Sequence, residues 1–139
     1  MRDHVDSSVL VAAVVDSEKH HAVCLALLRG GSLQAHSHAL VETFSTLTGG
    51  RSLPRVPPSV AAEIIGTTIL PRVKTVSLSA RGILQAMKEA ESRGVRGGAI
   101  YDYLHLFAAR GEKARRIYTL DASNFLSFHR RGDPEIVHP

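Results

Sequence analysis

Short runs with strand character recur between longer segments of helical spacing, and this alternation limits the folds open to the chain more than any other feature. The strand-like runs are His4–Asp6, Leu33–His36, Val73–Leu78, Arg116–Leu120 and Ile136–Val137. A helix is expected over Ser8–Val15, capped by Ser7, and a second over Glu18–Arg29, stopped at Gly30-Gly31. Ser37 caps a third, with Leu40, Val41, Phe44 and Leu47 on its apolar face, ending before Gly49-Gly50. Arg51–Pro58 is Pro-rich and irregular, and Ser59–Leu70 can form a further helix. Ser79 caps the next, inward through Ile83, Leu84, Met87 and Ala90. After the basic, Gly-rich loop Gly94–Gly98 comes a strong helix over Ala99–Arg110, with Leu104, Phe107 and Ala108 inward, and later a helical turn over Asn124–Phe128. Strands alternating with helices imply an α/β fold whose parallel sheet is covered on both faces. Sites in such folds form beyond the carboxyl ends of the strands.

The composition supports one domain spanning residues 1–139. With 44% hydrophobic and 22% charged residues, the chain reads as soluble and globular rather than disordered. No apolar run approaches the roughly 20 residues that span a bilayer, so no membrane association is expected. The N-terminal Met1–Asp6 segment lacks a signal peptide's order of regions. The single cysteine, Cys24, cannot form an internal disulfide and is most simply a small core residue, which fits a cytoplasmic location. Trp is absent and aromatics are 5%, so aliphatic side chains and Ala must build the core.

Four carboxylates fall at the same end of this expected sheet. Asp6 and Asp121 end strands, Glu42 lies early in the helix after the second strand, and Asp102 lies in the first turn after Gly97-Gly98. Each has a local reading as well: Asp6 as a helix cap, Asp102 complementing a helix dipole, Asp121 opening a turn, Glu42 solvated on a helix. Converging acids repel and raise one another's pKa, a penalty that a hard divalent cation removes. Mg²⁺ or Mn²⁺ suits such oxygen ligands and can activate water at a phosphorus centre. Ser8 and Thr119 are placed to orient these carboxylates, or to bond nearby backbone.

Here the residues resemble a known family. Asp6-Ser7-Ser8-Val9-Leu10 is similar to the N-terminal Asp-Ser/Thr-Ser signature of PIN-domain ribonucleases, and Val41-Glu42 to their second acidic position. Gly97-Gly98-Ala99-Ile100-Tyr101-Asp102 resembles the Gly-Gly-x-x-x-Asp segment, with the likeness continuing at Ala108-Ala109. Thr119-Leu120-Asp121 with Phe125 resembles the Thr-x-Asp…Phe motif. The order and whole-chain coverage are similar to VapC-type toxins of toxin–antitoxin pairs. The resemblance implies a three-layer α/β/α domain with a central parallel sheet of about five strands. It implies a metal-dependent toxin endoribonuclease with Asp6, Glu42, Asp102 and Asp121 as catalytic residues, leaving 5′-phosphate and 3′-hydroxyl ends. Asp6, Asp102 and Asp121 would hold Mg²⁺ or Mn²⁺, while Glu42 adds a ligand or orients the attacking water. The implied substrates are structured tRNA or rRNA, and the implied partners are a VapB-type antitoxin and a second copy of the chain. The departures are Asp3 and His4, where aliphatic residues are common, and His105 and Phe107 after Asp102. Asp3 is a possible decoy for Asp6.

The net charge is +4, from 17 basic and 13 acidic residues. Setting the four site acids aside leaves 13 − 4 = 9 acids against 17 bases, a difference of +8, which suits a polyanionic substrate. Arg93 and Arg96 are the expected phosphate contacts. Lys113, Arg115 and Arg116 form the densest basic run, expected at the opposite end, while Arg51, Arg55 and Arg72 could meet RNA or antitoxin. Asp16 and Asp133 lack a matching context. Of eight histidines, His20-His21 are expected on a helix surface and His36 and His38 as polar surface or local caps rather than zinc ligands. Two other functions stand beside the metal nuclease. One is a metal-independent RNase using His36 or His38 through the ribose 2′-hydroxyl. The other is a non-catalytic PIN-like interaction module. A phospho-acceptor receiver is disfavoured, since Asp6 is followed by Ser7 rather than an acid and no Lys follows Asp121.

Overall fold

A computed structural model describes residues 2–49 and 55–139. Five strands form one parallel sheet: β1 (Asp3–Val5), β2 (Leu33–His36), β3 (Val73–Val76), β4 (Arg116–Tyr118) and β5 (Glu135–Val137), in the order β3-β2-β1-β4-β5. Helices α1 (Ser7–Val14), α2 (His21–Gly30), α3 (His38–Gly49), α4 (Pro58–Ile64), α5 (Ala80–Arg93), α6 (Ala99–Gly111) and α7 (Ala122–Phe128) complete the three layers expected from the sequence. Among the described residues no helix is long and apolar enough to cross a membrane.

The sheet separates two cores. One joins Val5, Leu33, Ala35 and Val73 of the strands to Val9, Leu10, Cys24 and Leu28 of α1 and α2, with Ile69 behind them. The other packs Ile117 against Tyr103, Leu106, Phe125 and Phe128 of α6 and α7. A strand alternates its faces, so one strand can serve two environments. In β2, Leu33 and Ala35 face the first core, while Gln34 and His36 are equally buried. His4 is paired in register with Gln34 and is likewise buried. Strands buried on both faces usually read as continuous apolar runs; here the second face of β1 and β2 is polar. The expectation that His36 lies on the surface is corrected accordingly.

Local chemistry sets the helix ends. Asp6, not Ser7, caps α1, so β1 stops at Val5. Ser79 caps α5 by accepting from the Gly82 N–H at 3.1 Å. Gly31 and Gly94 close α2 and α5 at φ 84° and 70°, where a side chain would be strained. The helix expected over Ser59–Leu70 is broken. After α4 the chain widens into a π-turn at Ile65–Ile69 and tightens into a 3₁₀ turn at Leu70–Arg72. Thr67 bonds back to the Glu63 carbonyl, and Pro71 cannot continue an α-helix.

Two apolar faces differ from expectation. On α5, Ala86 is buried while Leu84 and Met87 are half exposed, because α5 lies close against α6 and small residues fit that contact. On α3, Ala39, Thr43 and Leu47 face inward and Val41 is exposed.

Candidate active site

Parallel strands bring all their carboxyl ends to one edge, and the acids collect there. Asp6 is almost wholly buried at the end of β1. Its Oδ1 accepts from the Ser8 N–H (3.1 Å), the Ser8 hydroxyl (2.5 Å) and the Val9 N–H (3.4 Å). Its Oδ2 accepts from the Thr119 hydroxyl at 2.6 Å. Thr119 accepts in turn from the Asp121 N–H at 2.9 Å, and Ser8 accepts from the Leu120 N–H at 2.9 Å. The local cap and the site acid are therefore one side chain, and this network ties the start of α1 to the β4–α7 connection. Burial raises the Asp6 pKa, and the Asp121 charge adds to it; the His105 charge and the Ser8 and Thr119 hydroxyls oppose.

This strap yields a test. Thr119→Val keeps the shape but removes a charge-assisted donor and leaves the Asp121 N–H unpaired. A loss of about 2 kcal/mol in stability is expected, read by urea unfolding. Cleavage should fall about 10- to 100-fold.

Glu42 and Asp102 share a cleft of about 540 Å³, lined also by Ser7, His38 and Tyr101. Burial pushes the Glu42 pKa up, but hydrogen bonds and charge from His105 and His38 hold it below its ordinary value. His105 Nε2 lies 2.7 Å from Glu42 Oε1, and His38 Nδ1 lies 3.3 Å from the same oxygen. Asp102 is pushed up to about 6, first by burial, then by Asp6, with further contributions from Glu42 and Asp121, against the His105 charge. Asp121 is exposed and borders an adjoining cleft with Ser7 and Ser8. Asp102 therefore senses the charges of the other three acids, and Asp6 that of Asp121.

The basic residues are placed otherwise. Arg93 is committed to Asp133, to the Phe128 carbonyl at 3.2 Å and to the face of Tyr103. Arg96 is exposed beside Met87 and Glu91, in a cleft separate from those of the acids. Asp3 sits at the opposite end of β1, 3.8 Å from Arg116, which separates it from Asp6. Arg116 thus lies at the far end of the sheet, as expected. Arg72 bonds the Thr68 carbonyl, Arg55 is exposed, and Arg51 lies outside the described residues. Cys24 is buried and its thiol is pushed up to about 11 by burial and the Asp6 charge, which keeps it unreactive.

Sequence reasoning did not assign a role to His105. It is fully buried and forms a ring array with His4 (6.2 Å) and His36 (5.9 Å), while His38 stacks on the exposed Tyr101 at 5.4 Å. Its signal was the three-residue spacing from Asp102, which puts both on one helix face.

The PIN domain family model matches residues 4–130. Among solved structures, the chain is similar to VapC20 of Mycobacterium tuberculosis, described as a sarcin-ricin-loop-cleaving toxin. The TM-score is 0.67 at 19% identity, covering 94% of this chain and 98% of that one. It is also similar to VapBC2 of Rickettsia felis bound to a promoter DNA fragment (0.66, 17%, covering 100% and 99%). A third is FitAcB of Neisseria gonorrhoeae (0.63, 16%, covering 98% and 96%). No curated protein matches the sequence.

Proposed function

The chain belongs to the PIN-domain family, and from that premise we propose that it is the toxin endoribonuclease of a type II toxin–antitoxin pair. It would hydrolyse phosphodiester bonds of structured RNA with Mg²⁺ or Mn²⁺. The observation that carries this reading is the convergence of Asp6, Glu42, Asp102 and Asp121 on one edge of the sheet, where burial first, and then the charges of the other three acids, push Asp102 up to about 6.

The donor set fits a hard cation: all four groups are oxygen ligands, and their crowded charge is what such an ion relieves. Among the described residues no three His, Cys, Asp or Glu side chains form a ready-made cage. Mg²⁺ usually takes one or two carboxylates and keeps several waters, so a closed cage is not required. Asp6, Asp102 and Asp121 would hold the ion, which when bound supplies charge neutralisation and a more acidic water.

The chain's own residues do the rest. Ser8 and Thr119 fix both oxygens of Asp6, so that carboxylate needs no reorganisation when a ligand arrives. Glu42 lines the same cleft as Asp102, anchored by His105, to accept a proton from the attacking water or to orient it. Tyr101, half exposed at the cleft, offers a ring of the kind on which unpaired bases stack. Arg96 remains available for phosphate contact; Arg93 supports the fold instead. An antitoxin of the VapB type as inhibitor, a second copy as partner and a cytoplasmic location belong to the same reading.

Purified protein incubated with total cellular RNA tests it. Discrete cuts with Mg²⁺ or Mn²⁺ and none with EDTA are expected. Cuts that survive EDTA would overturn it.

A further inference from the structure

We propose that His105 is the positioning residue for Glu42, its buried ring fixing the carboxylate in the orientation that serves the cleft. This rests on the metal-dependent reading above.

Glu42 rises from α3 with its side chain 24% exposed, and a glutamate with that freedom samples many rotamers. Its carboxylate nevertheless has a fixed partner: the His105 Nε2–H, which donates to Oε1 at 2.7 Å. The ring cannot follow a wandering acid. Its side chain is 0% exposed, and the rings of His4 and His36 meet it edge-on at 6.2 and 5.9 Å. His105 is also one turn beyond Asp102 on α6, so one helix carries an acid of the cleft and the anchor of the acid opposite. Both histidine contacts fall on Oε1, at 2.7 Å from His105 and 3.3 Å from His38, and among the described residues none is made to Oε2.

A purely structural role explains this ring poorly. Among the described residues His105 Nδ1 has no hydrogen-bond partner, and neither does either ring nitrogen of His4. Burying such atoms costs free energy. A leucine would fill much of the same space without that cost. Among the described residues the only hydrogen bond His105 makes through its ring is the one to Glu42, so that contact is what the histidine provides over an aliphatic residue.

The test compares His105→Leu, which loses the donor, with His105→Gln, whose amide can reach near the Nε2 position. Mn²⁺ affinity is read by titration calorimetry on the full chain, together with kcat and KM on RNA. For His105→Leu, Mn²⁺ affinity or kcat should fall about 10- to 100-fold with KM little changed. His105→Gln should recover most of the loss. In a Glu42→Ala background, His105→Leu should add less than about threefold, because the partner is already gone. A ¹⁵N imidazole spectrum gives a readout that needs no folded Leu variant: His105 Nε2 should be protonated in the wild type and shift on Glu42→Ala. Wild type that binds Mn²⁺ and cleaves, with His105→Leu equal to it or strictly additive with Glu42→Ala, overturns the positioning role alone. An unmoved Nε2 signal does the same. Wild type that neither binds Mn²⁺ nor cleaves RNA overturns the functional reading itself.

Discussion

Asp102→Asn is expected to abolish RNA cleavage and, at the same time, to make the metal-free protein more stable. Both effects have one cause. Burial and the charges of Asp6, Glu42 and Asp121 make an ionised Asp102 costly, which is why its pKa rises from 3.8 to about 6. The raised value means that, between those two pH values, the folded chain binds more protons than the unfolded one. Stability from this group is therefore lost as pH rises through that window, and the full penalty applies above about 6. Neutral Asn removes it. Because the group is partly exposed, solvent screening reduces the gain to about 1 kcal/mol, or a few degrees in Tm at pH 7.5. The gain should shrink as pH falls toward 4, where the wild-type acid is itself neutral. Cleavage should drop by more than about 100-fold, beyond what changes in outer hydrogen-bond partners cost. For the wild type, Mn²⁺ binding to the metal-free protein should weaken as pH falls through about 6, as the proton taken up by Asp102 competes with the ion. Mn²⁺ should raise the Tm of the wild type but not of Asp102→Asn. Calorimetry with and without Mn²⁺, beside a cleavage assay, checks every part.

Asp133→Ala should produce the largest loss of stability, about 3 kcal/mol or roughly 10 °C in Tm. The Asp133 side chain is only 3% exposed and pairs with Arg93, itself 14% exposed. It also accepts from the Arg130 N–H at 2.8 Å and lies 3.7 Å from Arg110. Glu89 extends the network, accepting from Arg110 at 2.7 Å and from the Tyr103 hydroxyl at 2.6 Å. These contacts clamp α5, α6 and the loop before β5 together. Removing Asp133 leaves the Arg93 guanidinium without its counter-charge in a largely dry setting, the condition under which broken ion pairs are costly. RNA cleavage at temperatures below the transition should be unchanged, because none of these groups borders the clefts of the acids. Thermal unfolding and cleavage at 20 °C separate the two effects.

The same pair shows where sequence reading stops. Arg93 and Asp133 lie 40 residues apart, so neither spacing nor local composition connects them. From sequence alone Arg93 therefore reads as a cation for phosphate and Asp133 as an acid without matching context. Conversely, the acids at the site were legible because parallel strands must present their carboxyl ends together. Locating strand ends near Asp6 and Asp121 was enough, although β1 and β4 end one and two residues earlier than expected. Strand β2 falls over Leu33–His36 as expected, with its burial complete on both faces. That second face could not be foreseen. His4, Gln34 and His36 are residues that usually meet solvent, yet they are buried here, with α6 packed over β2 and His105 of α6 against the His4 and His36 rings. The inward face of α5 differs from expectation for the opposite reason. Large Leu84 and Met87 suggest burial by hydrophobicity alone, but the close approach to α6 selects Ala86. His105 carries both lessons, since it is visible as a departure in sequence and explained only by the carboxylate that it reaches from another helix.

The central claim is that the four acids, rather than the histidines, carry out phosphodiester hydrolysis. The chemistry of the RNA ends tests this most directly. RNA cut by the wild-type protein in Mn²⁺ would be probed by ligation that requires a 5′-phosphate and by sensitivity to removal of 2′,3′-cyclic phosphate. The account predicts 5′-phosphate and 3′-hydroxyl ends that form only with metal. Cyclic phosphate ends formed in EDTA would contradict it and place the reaction on the histidine side of the cleft.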